Sequence, residues 1–246
     1  MNFYKQLKHA LLKRGANNIA VVSFPKAGRT WLRVMLDMCN VSAVYTHDQS
    51  AHRLAIPFGD LSADKAEFRE NRVIFLVRDP RDVAVSGYFQ ATKRIGAYNG
   101  SISDFVRSPK HGVEKSITFN KGWFSCKSVP ENFLLLEYEK MRKDPVAELR
   151  RVLAFSKARL SDRAIAIAVE RASFKNMQAQ EKSSALTKKY GHVLSPGDVN
   201  DVESFKVRRG KVGGYSDYLS QEDQAYCAEV LARTQYEEAL AAVRGD

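Results

Sequence analysis

Ile19-Ala20-Val21-Val22-Ser23-Phe24 is a nearly unbroken apolar run, short enough to predict a buried strand. Pro25 to Arg29 breaks it as a turn. From Thr30 the period changes: Trp31, Leu32, Met35, Leu36 and Cys39 recur at helix spacing. The chain therefore opens as strand, loop, helix. Val73 to Val77 predicts a second strand, and its continuous apolar character suits a parallel sheet covered on both faces. Pro80 then stands where a helix begins, with Val83 to Arg94 as its body. Phe133 to Leu136 predicts a third strand, running into Glu137-Tyr138. Helices follow at Pro145 to Phe155 and Ser161 to Arg171. One long terminal helix is expected from Ser220 to Arg244, with Ser220 and Asp223 as its capping pair. Alternating strands and helices predict one α/β domain over residues 1–246, a parallel sheet with helices on both faces.

Two polar stretches, 93–121 and 178–214, are rich in Gly, Ser, Lys and Arg and read as loops. Loops beyond the carboxyl ends of parallel strands usually carry the site in such folds. No apolar run reaches 18 residues, so a membrane-spanning helix is not expected. The basic, amphipathic segment Met1 to Arg14 lacks the apolar core of a signal peptide, which makes the cytoplasm the expected compartment. Cys39, Cys126 and Cys227 are too few and too scattered for a disulfide scaffold or a structural zinc site. A formal net charge of +11 points to an anionic partner.

Where the cations sit narrows that partner. In Pro25-Lys26-Ala27-Gly28-Arg29-Thr30-Trp31 a strand ends, a glycine-bearing turn follows and a helix starts. The helix N-terminus offers unpaired N–H groups to an anion, Lys26 adds a charge and Thr30 a hydroxyl. A basic turn at the surface is the plainer alternative. The order of residues differs from the nucleotide-triphosphate loop, in which Lys follows the second Gly and Ser/Thr holds magnesium. Here Lys26 precedes Gly28 and Arg29 fills the slot before Thr30, so no metal is expected.

This segment resembles the 5′-phosphosulfate loop of the sulfotransferases that use 3′-phosphoadenosine 5′-phosphosulfate (PAPS), usually written P-K-S-G-T-T-W. Ala27 stands where that pattern has Ser, and Arg29 where it has Thr. Further along, Arg78-Asp79-Pro80-Arg81-Asp82 leads to Ser86, and Arg78 with Ser86 matches the pair that the family sets on the 3′-phosphate. An Arg-Asp network at a helix start is the structural reading for Arg81, Asp79 and Asp82. Arg208-Arg209-Gly210-Lys211-Val212-Gly213-Gly214-Tyr215 resembles the family's R-K-G-x-x-G-D-W stretch, with Gly214 and Tyr215 departing from it. Tyr138, Trp31 and Ser173-Phe174 match the residues that surround the adenine.

The resemblance covers about residues 19–219. It implies a P-loop-like sheet and a metal-independent transfer of a sulfuryl group, with adenosine 3′,5′-bisphosphate (PAP) as product. Lys26 would neutralise the leaving phosphate. The general base of cytosolic members is a His in Lys-Thr-His; Tyr45-Thr46-His47 is the nearest match, with His52 and Asp48 as rivals. The acceptor stays open between small molecule, lipid and glycan, its walls expected in loops 48–70, 93–125 and 178–206. Phe58, Tyr98, Phe119, Trp123 and Tyr190 either line an apolar slot there or pack internally. Two rivals compete: a magnesium-dependent nucleotide kinase, and a non-enzymatic binder of RNA, acidic polymer or lipid. Nucleic acid is not expected, because the cations fall in glycine loops and at strand ends rather than along one face.

Overall fold

In the computed structural model, which describes residues 18–191 and 195–245, the apolar runs assemble into a four-stranded parallel sheet. Its strands are β1 (Ile19–Ser23), β2 (Val44–Thr46), β3 (Arg72–Val77) and β4 (Asn132–Glu137), in the order β2-β1-β3-β4. β2 is an addition to the three strands expected. It is short and half-buried throughout, so it lacks the apolar run that marks the others. The basic segment Met1 to Arg14, His9 and His192 lie outside the described residues.

Alternation along β1 and β3 sends side chains to two cores. Ala20, Val22, Val73, Phe75 and Val77 face one side, covered by α2 (Pro80–Phe89), α4 (Val113–Ser125), α10 (Gln221–Arg233) and α11 (Tyr236–Arg244). Ile19, Val21, Ile74 and Leu76 face the other, covered by α1 (Arg29–Met38), α6 (Pro145–Phe155), α7 (Asp162–Arg171) and α8 (Phe174–Lys182). The helix after β1 and the helix after β3 thus lie on opposite faces. A crevice opens between two such strands at their carboxyl ends. Register brings the chemistry to that edge. Val22 pairs with Thr46 and Val77 with Glu137, so the next residues, His47, Arg78 and Tyr138, all emerge there.

Three expectations need correction. The stretch 93–121 is largely helical: α3 (Ile102–Arg107), capped by the Ser101 hydroxyl, precedes α4. The stretch 178–214 contains the end of α8 and also α9 (Ala185–Tyr190). The terminal helix is two helices, broken at Gln235 with φ 49°. Ser220 does cap α10, accepting from the Asp223 N–H at 3.1 Å, but the Asp223 carboxylate bonds Ser103 and Arg107 instead of closing a capping box. α5 (Tyr138–Lys143) completes the set of labelled helices.

Candidate active site

Strand β1 ends in a turn that only unusual backbone geometry permits. Lys26 has φ 73° and Gly28 φ 101°, both left-handed. A Cβ on Gly28 would lie 2.6 Å from the Tyr138 ring, so glycine is required by conformation and by space. The turn delivers Arg29 and Thr30 to the first turn of α1, where backbone N–H groups have no intrahelical acceptor.

That turn forms the floor of a cleft of about 560 Å³. Lys26, Gly28, Arg29, Thr30 and Trp31 line it, and so do His47, Arg78, Ser86, Tyr138 and Phe174. Arg208, Arg209 and Gly210 close one side. Segments almost 190 residues apart in sequence therefore meet around one space. Two expected residues do not face it. Ala27 is buried in the core with Met35 and Leu36. Ser173 caps α8, accepting from the Asn176 N–H at 3.4 Å.

Two ends of the cleft differ in chemistry. At one end the cations are held by carboxylates. Asp82 lies 3.3 Å from Arg78 and also accepts from the N–H groups of Gly213 and Tyr215 at 2.9 Å, which ties the C-terminal loop to α2. Arg208 donates to Glu203 and to the Tyr218 hydroxyl, each at 2.6 Å, and Arg209 pairs with Asp217 at 2.9 Å. Arg78 stacks over the Tyr138 ring at 4.4 Å. The Arg81-Asp79 network is structural as its sequence suggests: Arg81 donates to both Asp79 oxygens, and Asp79 caps α2. The aromatic rings of Trp31, Tyr138 and Phe174 line the same cleft. Gly210, with φ 61°, lies so close to Phe174 that an added Cβ would approach the ring to 2.6 Å.

At the other end cations converge within the field of one buried carboxylate, Glu181. The Lys26 ammonium donates to Gln90 Oε1 at 3.2 Å, and Arg94 donates to the same oxygen at 3.0 Å. Gln90 and Arg94 reach the cleft from a widened π turn that follows α2. Burial, then the charges of Lys206 and Arg94, push the Lys26 ammonium well below the ordinary lysine value, against a weaker upward pull from Glu181. Lys206 is pushed down to about 7 by burial, with Arg94 and Arg29 adding. Crowded, desolvated cations of this kind mark a polyanion site. Lys206, Arg94 and Gln90 were not singled out from sequence. They belong to no glycine motif, although 94 and 206 fall within the loops expected to form acceptor walls.

His47 follows β2 and is half-buried, on the cleft lining. Its Nδ1 lies 2.9 Å from the Ser23 carbonyl and its Nε2 lies 2.7 Å from Arg29 Nη2. Burial and the Arg29 charge hold its pKa well below the ordinary histidine value. His52 also lines the cleft, packed edge-on to Phe24, with both ring nitrogens lacking hydrogen-bond partners; burial and then the His111 charge push it down to about 3. Asp48 is turned away. Its carboxylate is bound to Lys65 at 2.7 Å and to the Trp123 indole at 3.1 Å. Phe119 and Trp123 are core residues around Phe75, and Phe58, Tyr98 and Tyr190 also do not line the cleft. The walls opposite the loop come instead from Ala51, His52, Ile95 and Ser195-Pro196-Gly197, which lie in the three loop regions expected for the acceptor.

The profile of the sulfotransferase domain family matches residues 57–239. That span begins after the 25–30 turn. Among curated proteins the chain is similar to 3-beta-hydroxysteroid sulfotransferase of Cavia porcellus, 27% identical over 156 residues, covering 61% of this chain and 50% of that one. It is similar to amine sulfotransferase of Oryctolagus cuniculus, 23% identical over 242 residues, covering 84% and 76%. In the first case the aligned stretch spans half the relative's length. Among solved structures, a mouse sulfotransferase complexed with PAP superposes with a TM-score of 0.67 at 19% identity, covering 93% of this chain and 88% of that one. A retinol dehydratase in complex with retinol and PAP gives 0.67 at 17% identity, covering 88% and 80%. At these identities the superpositions establish the shared fold.

Proposed function

The chain belongs to the sulfotransferase domain family, and we propose that it transfers a sulfuryl group from PAPS to a hydroxyl or amine of an acceptor. The observation that carries this reading is the convergence of the turn at 25–31, Arg78 with Ser86, Tyr138, Phe174 and Arg208 to Gly210 on one cleft. The residues fit the donor at three points. Lys26, Arg29 and the start of α1 suit the phosphosulfate; Trp31, Tyr138 and Phe174 suit the adenine; Arg78, Ser86, Arg208 and Arg209 suit the 3′-phosphate. The close approach of Gly210 to Phe174 supports a flat slot for the base.

PAPS supplies the sulfuryl group, whose bond to the bridging oxygen of the 5′-phosphate breaks as the bond from the acceptor oxygen or nitrogen forms. Lys26 meets the charge that develops on that bridging oxygen. His47 takes the acceptor's proton at Nε2. Its Nδ1 must carry the ring hydrogen, because the Ser23 carbonyl can only accept. The paired cations at 78, 208 and 209 hold the remote phosphate, and their binding energy positions the reacting sulfur.

We read residues 1–246 as one domain acting in the cytoplasm. Helices on both faces of a single sheet support the first point. The second rests on the resemblance to cytosolic sulfotransferases; separately, no helix among the described residues is long and apolar enough to cross a membrane.

The decisive experiment is calorimetry with PAP and AMP. Each charge-assisted bond to the extra phosphate contributes roughly 1.5–3 kcal/mol, so PAP should bind at least about tenfold more tightly. Equal affinities would sink the assignment of Arg78, Ser86, Arg208 and Arg209. Metal dependence is a separate expectation. The turn lacks the Lys-Ser/Thr order of a magnesium loop, so sulfuryl transfer should survive excess EDTA. Loss of transfer, restored only by a divalent ion, would favour the kinase reading instead.

A further inference from the structure

Arg29 stands where the family's usual loop has threonine, and it touches the base. Its Nη2 lies 2.7 Å from His47 Nε2, while its Nη1 is buried without a hydrogen-bond partner. A guanidinium only donates and a backbone carbonyl only accepts. Both ring nitrogens of His47 are therefore assigned: Nδ1 carries the hydrogen, and the Nε2 lone pair is taken up by Arg29. A nitrogen committed in this way cannot receive the acceptor's proton.

We propose that Arg29 gates the base: without donor it holds the Nε2 of His47, and phosphosulfate seated on the 25–30 turn draws the guanidinium away, so that the base acts only once PAPS is in place. This inference rests on the reading of that turn as the phosphosulfate loop and of His47 as the base.

Geometry puts the exchange within reach. Arg29 and Lys26 flank the same short turn and line the same cleft, and Lys206 interacts with the charges of both, so an anion drawn to these cations enters the space that Arg29 faces. The bond to imidazole is a single hydrogen bond to a neutral partner. A phosphate or sulfate offers opposite charge and a forked geometry, which is the stronger attraction. Arg29 is also crowded by a like charge: burial and Arg33 push its pKa down to about 10, with a smaller opposing pull from Tyr45. An anion relieves that repulsion. The consequence is ordered chemistry, in which the acceptor keeps its proton until sulfur is in position to be attacked.

The ring of His47 reports the gate directly. Besides Arg29, Lys206 and His52 also face it and also disfavour its charged form. The test is an imidazole NMR titration of the whole chain, wild type and Arg29→Thr, each with and without saturating PAP, whose 5′-phosphate takes the place of phosphosulfate. Arg29→Lys serves as a second variant, keeping the charge and losing the fork. The donor-free Arg29→Thr protein should show a His47 midpoint at least about one unit above the donor-free wild type, a tenfold change in proton affinity. PAP should raise the wild-type midpoint more than it raises that of Arg29→Thr. Arg29→Lys should fall between them. A field effect of the nucleotide's charge alone would shift all three proteins equally, and that result would overturn the gate. So would an unchanged donor-free midpoint in Arg29→Thr. Failure of the wild type to bind PAP in calorimetry would instead overturn the donor reading, and the gate with it.

Discussion

Lys26→Ala should lower kcat by about 10²–10³-fold, with a smaller loss of PAP affinity. Lys26 is the cation of the turn that follows β1, and its left-handed backbone directs the side chain into the cleft. There it meets Gln90 and stands near Lys206 and Arg94, with burial as the main force against its charge. An anion in the same space reverses that balance, and the balance improves further as charge builds on the departing oxygen. Such an interaction is stronger in the transition state than in the bound complex, so its loss appears mainly in kcat. Lys206 and Arg94 remain in the variant and keep part of the field, which accounts for residual nucleotide binding. Single-turnover kinetics with calorimetric PAP affinities separate the two effects. A raised KM with unchanged kcat would reduce Lys26 to a residue of uniform binding.

How much of this was legible in the sequence depends on what each residue packs against. The turn at 25–31 was legible because phosphate chemistry needs a strand end, a glycine and a helix start in that order. The three long strands were legible from apolar runs that the two cores require. β2 was not: Val44-Tyr45-Thr46 is short and half-buried, and only its pairing with β1 makes it a strand. α4 was hidden by polar residues inside the core. Lys115, Ser116 and Asn120 are buried; they donate to the Lys110 carbonyl, the Val113 carbonyl and the Tyr236 hydroxyl, while Asn120 Oδ1 has no partner. An amphipathic pattern cannot show such a face. The break between α10 and α11 carries no Gly or Pro. Tyr236 fills the core beside Phe124 instead, and Gln235 takes the left-handed conformation that this demands.

The site divides along the same line. Residues matched to the donor by motif, other than Ala27 and Ser173, reached the cleft, whereas the aromatic residues expected in the acceptor loops, Phe58, Tyr98, Phe119, Trp123 and Tyr190, did not. Phe119 and Trp123 close the core around Phe75, since apolar composition alone does not separate a slot from a core. Asp48 shows the limit for charges. It lies next to His47 in sequence, yet its partner Lys65 is 17 residues on, and the pair is buried under Trp123. Arg29 is the reverse case: the sequence marked it as a departure, and only the 2.7 Å contact with His47 gives that departure a role.

His47→Ala should leave PAP affinity nearly unchanged and cut kcat by roughly 10²–10⁴-fold. The ring bonds the Ser23 carbonyl and Arg29 and none of the residues assigned to the adenine or the 3′-phosphate, so its loss should remove proton transfer rather than donor binding. The deficit should shrink for an acidic phenol, which gives up its proton with less help. Two neighbours serve as controls. Asp48→Asn leaves Lys65 buried without its carboxylate and should cost about 3–5 kcal/mol of stability, yet folded enzyme should keep its kcat. His52→Ala removes a ring with no hydrogen-bond partner and should change kcat less than His47→Ala does. pH adds a direction. The His47 pKa lies well below its ordinary value in the donor-free protein, so the ring is neutral at pH 7. kcat/KM for PAPS should therefore show no loss from this group until pH falls well under 6.5, the ordinary histidine value. Turnover abolished by His52→Ala but retained in His47→Ala would move the base to the other ring on the cleft wall.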